Sequence, residues 1–86
     1  MPEISRFFGI IISMYYDEHN PPHFHARYGK DYAAIEIKSL RVMEGKLPPR
    51  ALGLIIEWAF QHQKELLNNW ESARKEKPLS KIKPLI

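Results

Sequence analysis

The hydrophobic pattern of this chain changes period once, at Pro48-Pro49, and that single change constrains the fold more than any other feature. Before it, apolar residues crowd or alternate in short runs rich in Phe, Ile and Tyr, the pattern of β-strands. After it, Leu52, Ile55, Ile56, Ala59, Gln63, Leu66, Leu67 and Trp70 fall on one stripe at helical spacing, widened by Leu54 and Trp58. A proline suits the first turn of a helix, where its missing N–H is not needed. The fold class that follows is α+β: an antiparallel three- to four-stranded meander packed on one long C-terminal helix.

The run at residues 6–16 reads as a first strand buried on both faces, with Gly9 marking a bend or bulge. A loop follows at 17–22, because paired prolines cannot continue a ladder. Residues 23–28 alternate cleanly, placing His23, His25 and Arg27 on one face and Phe24, Ala26 and Tyr28 on the other. Gly29-Lys30-Asp31 reads as a turn, residues 32–37 as a third strand, and 40–43 as a weaker fourth. The helix is expected over residues 49–75, bent near Asn68-Asn69 and stopped by Pro78, with a basic tail over 76–86 in which residues 79–86 pack as a short turn or an extended arm. A single helix covers one sheet face, so the face carrying His23, His25, Arg27 and Glu36 is the expected place for a site or a partner.

With 86 residues the chain is expected to form one domain with a thin core. An apolar share of 44% and a charged share of 27% are those of an ordinary globular protein. There is no cysteine, which excludes disulfides, thiolate metal sites and cysteine nucleophiles. The first residues lack the order of a signal peptide, and the apolar run Phe7-Phe8-Gly9-Ile10-Ile11-Ile12 is too short to span a membrane, so a cytoplasmic protein without membrane contact is expected. The net charge of +3 owes much to Arg74, Lys75, Lys77, Lys81 and Lys83. A solvated terminus is the plain reading of such a run, and RNA contact through it is the alternative.

Chemistry concentrates in one stretch. Three of the four histidines, His19, His23 and His25, lie within seven residues. His23 and His25 are neighbours on one strand face, and His19 precedes a rigid Pro21-Pro22 turn that folds it back toward them. Three imidazoles are a ligand set for a divalent transition metal, and Asp17 or Glu18 would add a carboxylate. His62, on the helix, is expected to lie apart. The same residues also permit a metal-free reading, in which His23 and His25 serve as general base and acid, Arg27 steadies an oxyanion or phosphate, as in RNA cleavage, and Tyr15, Tyr16, Phe24, Tyr28 and Tyr32 supply base-stacking surfaces. Against both stands a purely structural role, with the histidines on a solvated face and Tyr15, Tyr16, Phe24, Tyr28 and Tyr32 in the core. Phosphate-binding glycine loops, dinucleotide fingerprints and nucleophile elbows are absent, so no cofactor beyond a metal is expected.

The segment from Arg6-Phe7-Phe8-Gly9-Ile10 and Met14-Tyr15-Tyr16 through His19-Asn20-Pro21-Pro22-His23-Phe24-His25-Ala26 resembles domain-of-unknown-function family 4160 (DUF4160). So do Glu44-Gly45-Lys46-Leu47-Pro48, Glu57-Trp58-Ala59, Asn69-Trp70 and Ile82-Lys83-Pro84-Leu85. The resemblance implies a small bacterial protein found beside a second small protein, an arrangement like a toxin–antitoxin pair, and it supplies no catalytic residues. The leading expectation is therefore an interaction module that binds a small co-encoded protein, with homo-oligomerisation left open. The alternative is a His-based metal protein or RNA-cleaving enzyme using His19, His23 and His25.

Overall fold

A computed structural model describes residues 2–16 and 18–85. It contains one antiparallel sheet of five strands in the order β1-β2-β3-β4-β5, followed by two helices. The expected α+β class and meander are present. The expected three to four strands and single long helix are corrected to five strands and two helices.

The extra strand comes from the first apolar run, which is not one strand. It divides into β1 (Glu3–Phe7) and β2 (Ile10–Ser13), joined by a two-residue turn at Phe8 and Gly9. Both turn residues are left-handed, Phe8 at φ 49° and Gly9 at φ 80°, the backbone that matches the twist of a tight hairpin. Phenylalanine is a poor signal for that position, so the turn is hidden in sequence by the apolar residues around it. β3 (His23–Tyr28) and β4 (Asp31–Glu36) form a second tight hairpin across Gly29-Lys30. β5 (Val42–Lys46) extends beyond the expected weak strand at 40–43 and takes in Gly45. Gly45 sits at φ +83°, and a Cβ there would run into the Tyr32 carbonyl oxygen and the Ala33 Cα, so only glycine lets β5 lie this close to β4.

Register sorts the side chains into two faces. Ile12 faces Ala26 across β2–β3, and Phe24 faces Ile35 across β3–β4; with Ile10 and Ala33 these build the core face. The opposite face carries Ile11 and Ser13 of β2, His25 and Arg27 of β3, and Tyr32 and Ala34 of β4.

The helices cover the core face. α1 (Pro49–Gln61) and α2 (Gln63–Arg74) are separated by His62, whose φ of −129° interrupts the spiral. The break therefore lies at His62 and not at the expected Asn68-Asn69. Gln63 donates from its amide to the carbonyls of Ile37 and Lys38, which ties the start of α2 to the end of the sheet. Asn69 has a different task. Its amide donates to the Ser80 carbonyl and accepts from the Ser80 N–H, both at 2.9 Å. These bonds hold the tail as an extended arm that runs back to β1, where Ile82 N–H donates to the Ile4 carbonyl and the Ile82 side chain is buried.

Trp58, expected at the margin of the stripe, is its centre. The ring is fully buried between Phe7 and Phe24, with centroids 5.3 and 5.9 Å away, and its indole N–H donates to the Lys83 carbonyl of the arm. Sheet, helix and arm therefore meet on one side chain. Among the described residues no helix is long and apolar enough to cross a membrane.

Candidate metal centre

His23 and His25 are the first and third residues of β3, so the pleat sends both rings to the same side. Glu18 approaches from the loop between β2 and β3. Its Oε1 lies 3.0 Å from His23 Nε2 and 2.5 Å from His25 Nε2. One atom from each of Glu18, His23 and His25 thus falls within 4.8 Å of the other two.

The far nitrogens are also engaged. His23 Nδ1 donates to the Pro21 carbonyl at 2.8 Å, and His25 Nδ1 is in hydrogen-bond contact with the Tyr32 hydroxyl at 3.1 Å. The Pro21 contact fixes a proton, because a carbonyl oxygen only accepts. Neutral His23 must carry its hydrogen on Nδ1 and turn the Nε2 lone pair toward the Glu18 carboxylate. Two lone pairs facing each other at 3.0 Å need either a proton between them, carried by one partner or the other, or a cation.

Packing holds the rings in place. The His23 ring lies 5.2 Å from that of Trp70 on α2 and 5.2 Å from that of His25. His25 sits edge-on to Tyr15 at 4.4 Å and nearly parallel to Tyr32 at 5.8 Å. Only 7% of His23 remains exposed, which corrects the expectation that it stands on an open sheet face. Burial pushes the Glu18 carboxyl up, but hydrogen bonds from His25 and His23, and their charge, outweigh it and hold the group below its ordinary value. Burial raises the Tyr32 hydroxyl, helped by Glu44, Tyr15 and Glu18 and opposed by Arg27, so it stays protonated beside His25.

Of the residues singled out in the sequence, His23 and His25 come together and His19 does not; it is exposed and outside the cluster. Glu18, named there only as an added carboxylate, takes the place expected for His19, and Asp17 lies outside the described residues. Arg27 is exposed on the same face as His25, beside a cleft rather than in the cluster. His62 is separate, with Nδ1 2.5 Å from Glu65 Oε1. By spacing alone, Tyr15, Tyr32 and Trp70 are core residues. Their part in fixing the histidines depends on hairpin register and on the path of α2, neither of which their spacing reveals.

The sequence profile of the family described as domain of unknown function (DUF4160) matches residues 9–71. The chain belongs to this family. The match runs from the β1–β2 turn into α2, so all three clustered residues of the DUF4160 chain, and the Tyr15, Tyr32 and Trp70 that pack on them, lie inside it. Neither a curated protein nor a solved structure matches the chain.

Proposed function

We propose that this DUF4160 protein binds a divalent transition-metal ion through Glu18 Oε1, His23 Nε2 and His25 Nε2. The observation that carries the reading is the paired engagement of the histidines. Each offers Nε2 to the same carboxylate oxygen while its Nδ1 is occupied by a protein oxygen. That is how metal-ligating histidines are commonly oriented, the second nitrogen fixing the tautomer and aiming the first. Ligand bonds of about 2.0–2.2 Å to a tetrahedral ion would separate the donor atoms by roughly 3.3–3.6 Å, so the two spacings to Glu18 Oε1, now 3.0 and 2.5 Å, would open by about an ångström or less on binding. Two imidazoles and a carboxylate suit zinc and its neighbours better than calcium or magnesium. Three protein ligands leave a position for water or substrate, which keeps hydrolytic chemistry, RNA cleavage included, within the same reading.

The test is calorimetric titration of chelator-stripped protein with zinc chloride. One ion per chain is expected, with binding lost in the His23→Ala/His25→Ala variant and weakened in Glu18→Gln, while His19→Ala binds as the parent does. A parent protein that takes up no more zinc than the double variant would refute the reading.

One observation favours a second reading, the interaction module of a toxin–antitoxin-like pair. Phe8 is 59% exposed in a left-handed turn, and with Tyr28 and Leu54 it lines an apolar cleft of about 390 Å³ in which Arg50 is the single charged residue among the described residues. Co-expression with a small co-encoded protein should give a stable complex that Phe8→Asn disrupts. A monomer that ignores that partner would remove this reading and leave the metal centre untouched.

A further inference from the structure

Next to the metal centre, on the sheet face away from the helices, lies a cleft of about 230 Å³. It shares His25 with the cluster, and Tyr15 and Tyr32, which pack on His25, also line it; Ile11, Ser13 and Arg27 belong to the cleft alone. Ile11 forms an apolar part of the lining, and Tyr15 and Tyr32 stand on either side of His25. Among the described residues, four that carry side-chain donors line this small space: Arg27, Ser13, Tyr15 and Tyr32.

Most of that donor capacity is unspent. Ser13 is buried to 6% exposure, yet among the described residues its hydroxyl has no hydrogen-bond partner, and it borders the cleft. Arg27 forms no ion pair among the described residues. Glu3, the one carboxylate in the lining among the described residues, is already gripped by Arg6 through two bonds of 2.8 and 3.1 Å, so its charge is balanced by Arg6 and not by Arg27. Among the described residues that line the cleft, Arg27 is thus the charge left unpaired. Strand register fixes the layout: Arg27 faces Ile11 on β2 and Tyr32 on β4, and Ser13 faces His25. Arg27 is thus about 7 Å along the strand from His25, roughly the length of a small ring with one substituent.

We infer that this cleft binds a small organic anion, a planar ring carrying a carboxylate or phosphoryl group. The ring lies between the tyrosines over Ile11, and the oxyanion is held by Arg27 with the Ser13 hydroxyl as a second donor. A guanidinium with neutral donors around it is the arrangement that recognises such an oxyanion. The aromatic walls supply the stacking that favours a ring over a bare ion. The inference stands on the cleft's own side chains and goes beyond the metal reading, which can fail without it.

The experiment is calorimetric titration of the chelator-stripped full chain at low salt with phenyl phosphate and with benzoate, using benzyl alcohol and inorganic phosphate as comparators. Saturable one-to-one binding of at least one ring anion is expected, about tenfold or more tighter than benzyl alcohol and several-fold tighter than inorganic phosphate. Arg27→Gln, at an exposed position where folding is not at risk, should weaken ring-anion binding by about tenfold to a hundredfold while zinc binding stays at the parent level. Ser13→Ala should weaken it several-fold. No saturable binding of either ring anion, binding equal for benzyl alcohol, binding equal for inorganic phosphate, or binding unchanged in Arg27→Gln would each overturn the inference. Zinc titration of the same samples reads the metal centre independently.

Discussion

At the scale of the residue, the histidines matter through the partners of both ring nitrogens. His23 is held by a backbone carbonyl from the turn that precedes it, so its orientation is set within three residues of chain. His25 is held from across the sheet by Tyr32, a contact that exists only when β3 and β4 pair in the observed register. Loss of an outer partner of this kind commonly weakens metal affinity about 10–100-fold. Tyr32→Phe keeps the ring that packs on His25 and removes only the hydroxyl. Its zinc affinity, read by competition with a chromophoric chelator, is expected to fall by about tenfold with an unchanged circular dichroism spectrum. An unaltered affinity would mean that the hydroxyl does not hold His25 for the metal.

Among the elements, the β1–β2 hairpin stands out because its turn violates local preference. A bulky residue in the left-handed region costs about 1–2 kcal/mol, a cost that asparagine largely avoids, and Phe8, still 59% exposed, recovers part of it through its edge contact with Phe7. Phe8→Asn should therefore stabilise the protein by about 0.5–1 kcal/mol, seen as a higher midpoint in urea with an unchanged slope. A lower midpoint would show that Phe8 earns its place by packing rather than by display to a partner. The helical element carries its own irregularity. The break at His62 lets α1 lie over Phe7 and Phe24 through Trp58 while α2 turns Trp70 onto His23, so the interruption positions part of the candidate site.

Over the whole molecule, the C-terminal arm closes a small core. It contributes the buried Ile82, covers β1 at Ile4, and supplies the carbonyl that accepts from Trp58. Asn69 is the clasp, and replacing it by alanine leaves both backbone groups of Ser80 without their partners. The expected cost of Asn69→Ala is about 2 kcal/mol. Hydrogen exchange should show the Ile82 amide and the Trp58 indole N–H losing protection together and before the central strands. Protection lost uniformly across the sheet would mean instead that the arm does not open as a unit.

The amino-acid sequence by itself determined the fold class, the β3 alternation that puts His23 beside His25, and the boundary at Pro48-Pro49, because each follows from spacing along a few neighbouring residues. The β1–β2 turn was not legible, since Phe8 in a run of apolar residues carries no turn signal. Nor was the break at His62, where no glycine or proline marks it and the tie from Gln63 to the end of β4 spans 26 residues. The tertiary structure decided which carboxylate joins the histidines. Glu18 and His19 are adjacent and equally able to ligate, and only the course of the loop between β2 and β3 brings one in and leaves the other in solvent. It also decided that Tyr15, Tyr32 and Trp70 surround the histidines, because contacts between strands and helices depend on register and path, which no local spacing encodes.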